Sequence, residues 1–309
     1  MPAPELTLTK QWTPRRAGEG AIKVALFAAA VLSIATTTGI VFALLRETIN
    51  FFREVPFHEY AFGDKWTPLS GGDQQSFGVL PLVFSTLYLT VIGLTVAVPL
   101  GLGCAIWLAE YASPRARKIV KPTIEILAGI PTIVFGYFAL TFVTPEILKG
   151  VFNLEVNTFN ALSAGIVLGI LVLPTIASLA DDALVAVPGS LREGAFGLGA
   201  TKRQVSLRVV APAALSGIVA AIVLGASRAV GETVVILVAG GQAASLSLDP
   251  GEPHQNMAAF IANTARSDVS SSSAEYLTIF AVGTTLFVMT LILNFVSIRF
   301  VRRYRQVYE

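Results

Sequence analysis

Two oppositely charged residues lie four positions apart inside a long apolar run, and they are the strongest candidates for chemistry in this chain. Arg228 and Glu232 fall within residues 213–242, which contain no other charged residue. Placing an arginine in a bilayer costs about 2.5–3.5 kcal/mol on insertion scales, so a compensating group is expected. Helix residues four apart share one face, with about 6 Å of axial rise between them. The spacing therefore predicts an Arg228–Glu232 pair.

A half-neutralised arginine suits the transient binding of an oxyanion. Its guanidinium group stays charged and presents a planar fork of donors, while the carboxylate would keep the anion from binding too tightly for release. The alternative is an internal ion pair that only holds subunits together. Thr132 is a further candidate for the same path, because the preceding Gly129-Ile130-Pro131 predicts a kink that exposes carbonyls and a hydroxyl to a cavity. Close helix packing explains that stretch equally well.

A basic segment, EGAFGLGATKRQVSLRVVAP, lies between two apolar runs at Glu193 to Pro212. It predicts two short capped helices joined at a glycine. The capping boxes and helix-ending glycines are Ser190 with Glu193, Thr201 with Gln204, Gly197 and Gly199. A compact, positive hairpin of this kind suits docking to a partner outside the apolar phase.

The composition predicts an all-α polytopic membrane protein. The 309 residues are 54% hydrophobic and only 14% charged, against about 25% charged in an average soluble domain. A bilayer core of about 30 Å needs about 20 helical residues. Six runs qualify as spans: about 22–45, 79–109, 124–148, 159–180, 213–242 and 277–298. The long second and fifth runs are expected to tilt or break.

The basic residues set an orientation for these six spans. Sixteen of the 22 lysines and arginines lie in segments on one side and five on the other, with Arg228 inside a span. Because the positive side is cytoplasmic, both termini and the hairpin at 181–212 are expected in the cytoplasm. The first run is too long for the apolar core of a signal peptide, which is the alternative interpretation.

The hairpin resembles the EAA signature of bacterial ABC importer permeases. Glu193, Ala195, Gly199 and Pro212 match it, whereas Gly194, Val209 and Ala211 replace the usual Ala, Ile and Leu. The resemblance implies the six-helix, MetI-like fold of a type I ABC importer permease. It also implies that this loop is a coupling helix docking on an ATPase subunit. The docking residues would be Ser190, Glu193, Ala195, Gly199, Thr201 and Pro212; an ordered loop without a partner is the alternative.

Longer segments resemble the permease of the phosphate-specific transport family. They lie at 77–112, 124–140 and 227–241, and the long outer loop before Phe77 makes the chain more similar to the PstC type than to the PstA type. The resemblance implies a pore subunit of an ATP-driven phosphate importer in a bacterial inner (plasma) membrane, working by alternating access. It implies as partners a PstA-type permease, a dimeric PstB-type ATPase and an extracytoplasmic PstS-type phosphate-binding protein, together with membrane lipid.

Motifs for other functions are missing from the sequence. There is no G-x-x-x-x-G-K-[ST] loop, so ATP and Mg²⁺ are expected on the partner ATPase and no cofactor on this chain. The two histidines are far apart, which predicts no metal site, and the basic residues lack the aromatic platforms of a nucleic-acid surface. A self-sufficient secondary transporter is the main alternative, but it needs no docking element. Sulfate or molybdate is the nearest alternative to phosphate.

The expected organisation has one transmembrane domain with short ends. Residues 1–21 form a cytoplasmic segment, residues 22–300 the six-span domain, and residues 301–309 a cytoplasmic tail. The last outer segment, 243–276, contains Asp249-Pro250-Gly251 and a run of serines, which predicts a flexible loop.

Overall fold

The chain folds into helices joined by loops. The structure is a computed structural model that describes residues 14–70, 74–270 and 273–304. In those ranges only an isolated bridge between Trp66 and Phe77 has β character, so the expectation of an all-α protein is confirmed. Residues 71–73 and the middle of the serine run lie outside the described residues.

The helices are numbered here in chain order. They are α1 (Pro14–Glu54), α2 (Phe57–Phe62), α3 (Leu80–Tyr111), α4 (Pro114–Leu127), α5 (Thr132–Val151), α6 (Ala161–Val185), α7 (Gly189–Gly197), α8 (Lys202–Ala213), α9 (Leu215–Val230), α10 (234–240), α11 (Met257–Thr264) and α12 (Ala274–Tyr304). Parts of α3, α5, α8 and α10 have π-type hydrogen bonding.

Within the described residues, five helices are long and apolar enough to cross a membrane, and there are six crossings if the bent pair α8–α9 counts as one. The five are α1, α3, α5, α6 and α12, in agreement with five of the predicted runs. Helices α1 and α12 continue through the boundaries expected at residues 21–22 and 300–301. Those domain boundaries therefore stay predictions, and residues 1–13 and 305–309 lie outside the described residues.

The third predicted run, 124–148, has its start in the wrong place. Its first residues belong to α4, an amphipathic helix with no fully buried residue, whose N-terminus is capped by the Ser113 hydroxyl accepting from the Ala116 amide. The chain leaves helical geometry between Ala128 and Pro131 and re-enters it at Thr132. Pro131 lacks an amide proton and disfavours helical geometry in the residue before it, which explains the break. The kink expected here is thus a full interruption.

The fifth predicted run, 213–242, is also interrupted. Helix α9 has 16 residues, about 24 Å of helix, and meets α8 at an angle of 72°. It ends at Val230 with Gly231 as its C-cap. Three non-helical residues separate it from α10. The break that the length of this run led us to expect falls next to its only two charged residues.

Helices α3 and α6 pack backbone against backbone. A Cβ on Gly169 would lie 2.6 Å from the carbonyl oxygen of Gly93, and one on Gly165 would lie 2.5 Å from Ile92. The missing side chains therefore let the two backbones meet, as at other interfaces of small residues in membranes. Buried aliphatic side chains such as Leu168 and Leu171 fill the surrounding core. This pair is a rigid support for the segments at its two ends.

The segment 243–256 is ordered, contrary to the flexible loop expected there. The amides of Asn157 and Ala161 donate to the carbonyls of Gly251 and Glu252, at 2.9 Å each. His254 is fully buried and hydrogen-bonds Ser85 of α3 at 3.0 Å. Helix α11 follows with its apolar residues in the core. A high content of proline, glycine and aspartate here encodes tight turns that close over the bundle.

Candidate functional site

Helix α7 is the element that the hairpin motif predicts, but the first capping box is not formed. The helix begins at Gly189, two residues earlier than the box requires, with Pro188 as N-cap and no side-chain cap. Ser190 is therefore inside the first turn and cannot accept the amide of Glu193 as an N-cap would. Both side chains are exposed. The fixed φ of Pro188, together with its missing amide, replaces the hydroxyl cap as the start signal.

The second capping box and the glycine turn are confirmed. Gln204 Oε1 accepts from the Thr201 amide at 2.8 Å, and Thr201 Oγ1 accepts from the Gln204 amide at 3.4 Å. Gly199 has φ +82°, its amide donates to Phe196, and the Ala200 amide donates to the Ala195 carbonyl. These two bonds form a Schellman turn, in which glycine takes the left-handed position.

One face of α7 is open to solvent and the other packs on the bundle. Leu191 and Ala195 pack on an apolar cluster that includes Val187 and Val205. On the opposite side Phe196 is 47% exposed and Leu198 is 92% exposed. Together the two side chains form a small exposed apolar patch, and such patches mark contact surfaces more than single exposed residues do. Pro212 is exposed near the end of α8, just before the bend into α9.

An arginine that the motif did not single out ties α7 to two spans. Arg192 Nε and Nη2 donate to Glu110 Oε1 at 3.1 and 2.9 Å. Its Nη1 donates to the Val187 carbonyl at 2.6 Å, and Nη2 also donates to the Leu184 carbonyl at 2.8 Å. Glu110 lies in the last turn of α3, and Leu184 in the last turn of α6. From the sequence, Arg192 counts only as one of the basic residues that set the orientation. Glu110, a glutamate at the end of an apolar run, is the sequence signal that could have predicted this ion pair.

A second ion cluster attaches α4 to the same end of the bundle. Asp181, which is fully buried, accepts from Arg117 at 2.6 Å and from Lys121 at 2.9 Å. Lys121 also contacts Asp182 at 2.6 Å. Burial disfavours the charged lysine, but its bonds to Asp182 and Asp181 outweigh burial and raise the pKa of Lys121. The two aspartates therefore attach α4 to the end of α6.

The expected pair between Arg228 and Glu232 is not formed. Because α9 ends at Val230, the two residues do not share a helix face. Arg228 is half-buried, and its Nη1 donates to the hydroxyl of Thr175 on α6 at 2.9 Å. No carboxylate within the described residues forms an ion pair with it. Most of the guanidinium donors thus have no acceptor among the described residues.

Glu232 acts instead as the cap of the next helix. Its side chain is 9% exposed, and Oε1 accepts from the amides of Val234 and Val235 at 3.1 and 3.3 Å. Its carbonyl accepts from the Asn256 side chain at 2.7 Å. A carboxylate at a helix start satisfies amides that have no partner within the helix. The glutamate therefore stabilises the break after α9 and anchors it to the loop before α11.

Thr132 is at the start of a different helix from these two residues. It is the first residue of α5 and is half-buried. No hydrogen bond in the described residues links Thr132 to Arg228 or Glu232. The structure therefore joins Arg228 to Thr175 and Glu232 to Asn256, and neither of those partners had been predicted.

Comparison with known proteins gives a consistent family. Residues 97–306 match the family described as "Binding-protein-dependent transport system inner membrane component". A probable ABC transporter permease protein, YqgH of Bacillus subtilis (strain 168), is 33% identical over 232 residues, which cover 75% of this chain and 74% of the relative. The phosphate transport system permease protein PstC of Mesorhizobium japonicum is 31% identical over 286 residues, covering 86% and 84%. PstA 1 of Mycobacterium tuberculosis (strain CDC 1551 / Oshkosh) is 32% identical over 240 residues, covering 76% and 74%.

Solved structures confirm the expected ABC importer permease fold. An inward-facing MetNI methionine ABC transporter has a TM-score of 0.55 at 19% identity and covers 74% of this chain and 95% of its own. A bacterial alginate ABC transporter has a TM-score of 0.61 at 17% identity, covering 94% and 99%. At such identities the likeness concerns the fold alone.

Proposed function

This chain belongs to the binding-protein-dependent transport system inner membrane components, and we propose that it is a pore subunit of an ATP-driven inorganic phosphate importer. It is a transport permease subunit and not an enzyme. The observation that carries the proposal is α7, a short helix that exposes Phe196 on its open face and Leu198, 92% exposed, at its C-cap. A stand-alone carrier has no use for such a face, whereas a pore driven from outside the bilayer needs one.

The proposed partners follow from this role. A dimeric PstB-type ATPase binds ATP and Mg²⁺ and receives α7 together with the exposed Glu193 and Thr201. A PstA-type permease forms the second half of the pore, and a PstS-type protein delivers phosphate from outside. The names of the relatives support these types, since both PstC and PstA permeases of other bacteria are similar to this chain.

The proposed orientation places the α7 end in the cytoplasm of a bacterium, because ATP is available there. The excess of basic residues on that side and the six crossings agree with it. Both termini then lie in the cytoplasm as well. The ordered segment 243–256 lies at the outer side, where the binding protein would release its cargo.

The anion path is proposed to pass Arg228. Its fork of donors fits an oxyanion, and within the described residues a single hydrogen bond, to Thr175, holds it. Because no carboxylate of the described chain neutralises Arg228, the anion itself serves as its counter-charge during passage. Glu232 holds the break beside the path, and Thr132 lines it at the second break, between α4 and α5. Alternating access then requires the docked ATPase to move the spans around these two breaks.

Phosphate selectivity is tested by competition in reconstituted vesicles containing all partners. Uptake of radiolabelled phosphate should depend on ATP and on the binding protein, and excess unlabelled phosphate should suppress it while sulfate does not. Suppression by sulfate, or uptake without the ATPase, would contradict the proposal. A single arginine does not distinguish the two oxyanions, so the result measures the contribution of the assembled transporter.

A further inference from the structure

We propose that Arg192 is a positioning residue that transmits the movement of α7 to both α3 and α6, with Glu110 as its fixed partner. The inference rests on the proposed docking role of α7 and adds the connection between the docked helix and the spans. Arg192 does not itself face the docking partner, since its donors are directed into the bundle.

Arg192 connects α7 to the ends of α3 and α6 through hydrogen bonds from its whole guanidinium group. All three guanidinium nitrogens are used, and the acceptors are the Glu110 carboxylate and the Leu184 and Val187 carbonyls. The Glu110 side chain is 6% exposed and that of Arg192 20% exposed. Charge-assisted bonds in such a sheltered place are stronger than neutral ones and fix direction as well as distance.

The apolar contacts of α7 do not fix its orientation on the bundle. Leu191 and Ala195 pack on aliphatic side chains, and hydrophobic contacts of this kind are non-directional. Without Arg192, α7 would keep its place on the cluster but could slide or turn on it. The bonds of Arg192 prevent that motion because they reach two different spans at once.

The spans that Arg192 contacts are packed directly on each other. A Cβ on Gly169 of α6 would lie 2.6 Å from the carbonyl oxygen of Gly93 of α3. Arg117 of α4 reinforces the same end, since it donates to the Leu108 carbonyl of α3 at 2.9 Å and to Asp181 of α6. A displacement of α7 therefore reaches α3, α6 and α4 together, and α4 leads directly into the break before α5.

The test uses the complete transporter in vesicles, with phosphate moved per ATP hydrolysed as the readout. The informative variant is the double substitution Arg192→Met with Glu110→Met, because it removes both charges and leaves no buried charge unpaired. We expect assembly and ATP hydrolysis to persist while phosphate moved per ATP falls about tenfold, a typical coupling effect. Arg192→Lys should give an intermediate ratio, because lysine keeps the charge but lacks the fork.

Arg115→Ala is the matched control. Arg115 is an exposed arginine at the same end of the bundle and has no ion pair in the described residues, so its removal should leave the ratio unchanged.

Three results would overturn the inference. They are a wild-type ratio in the double variant, a wild-type ratio in Arg192→Lys, and a double variant that fails to assemble, which would give the two side chains a folding role instead. If the unmodified transporter does not link phosphate uptake to ATP hydrolysis, the proposed function is wrong. If the unmodified transporter does link them and the variants behave as the wild type, only the role of Arg192 is wrong.

Discussion

The docking hairpin and the Arg228 region differ in how far their sequence determines their geometry. In the hairpin the Thr201–Gln204 box and the left-handed Gly199 form as their motifs predict. In the Arg228 region the predicted pair with Glu232 does not form, and each residue has a partner from a distant part of the chain. One region is built from contacts within a few residues, and the other from contacts between spans.

The difference has a simple physical origin. A capping box or a Schellman turn closes within six residues, so its members are all present in the motif. The i,i+4 pairing instead assumes that the helix continues through both residues. Here Gly231 ends α9, and Glu232 finds the amides of α10 closer than the guanidinium group. The pair Gly-Glu inside an apolar run was the available signal for a C-cap followed by a new helix start.

The largest effect is expected at Arg228, where loss of the charge should stop uptake. Arg228→Gln keeps a donor near Thr175 but removes the only positive charge in the run 213–242. Since the anion would then cross an apolar region without a counter-charge, we expect phosphate uptake to fall at least about a hundredfold, which corresponds to about 2.7 kcal/mol. The measurement is initial uptake of radiolabelled phosphate, with copurification of the partners as the assembly check.

Two comparison variants sharpen this result. Arg228→Lys keeps the charge without the fork and should leave a reduced but measurable rate. Thr175→Val removes the hydrogen bond that holds Arg228 in the part of the chain that the structure describes and should have a smaller effect, because the charge remains. Normal uptake by Arg228→Gln would remove Arg228 from the path altogether.

A smaller effect, on coupling alone, is expected at the docking hairpin. Glu193→Lys reverses an exposed charge on α7, in a hairpin that also contains Lys202 and Arg203, while the hydrogen bonds of the Thr201–Gln204 box do not involve it. We expect ATP hydrolysis to continue while phosphate moved per ATP falls several-fold. Glu155→Lys makes the same charge reversal at an exposed position in the loop before α6. This loop precedes the start of α6, whereas α7 follows its end, so the variant should leave the coupling to the ATPase unchanged. An unchanged ratio in Glu193→Lys would argue against docking through this face.

The sequence predicts more of the fold than of the contacts between its elements. Apolar length alone locates α1, α3, α6 and α12, because a span must be long and uncharged. It misses the interruption before Thr132, where a proline decides between a kink and a break according to what packs around it. It also misses two ion pairs between residues that are distant along the chain. Arg192 and Glu110 are 82 positions apart, and Asp181 and Arg117 are 64 positions apart. Such pairs exist only after the helices have packed.

The smallest effect is expected at Glu232, and it separates a capping role from a charge relay. Glu232→Gln keeps an oxygen that accepts the amides of Val234 and Val235, whereas Glu232→Ala removes the cap at a cost of about 1 kcal/mol. A capping role predicts near-normal uptake and stability for the glutamine variant and a lower unfolding temperature for the alanine variant.

A relay that depends on the negative charge of Glu232 predicts no difference in uptake between the two variants. Glutamine and alanine would then impair phosphate uptake equally, because both lack the charge, and the unfolding temperature would not follow the uptake. Measuring uptake and thermal unfolding on the same two variants therefore decides whether the break after α9 or the charge beside it is what transport requires. The hydrogen bonds of Glu232 Oε1 to the α10 amides, at 3.1 and 3.3 Å, favour the capping role. An oxygen that caps α10 is not available to pair with the Arg228 guanidinium group, as a relay would require.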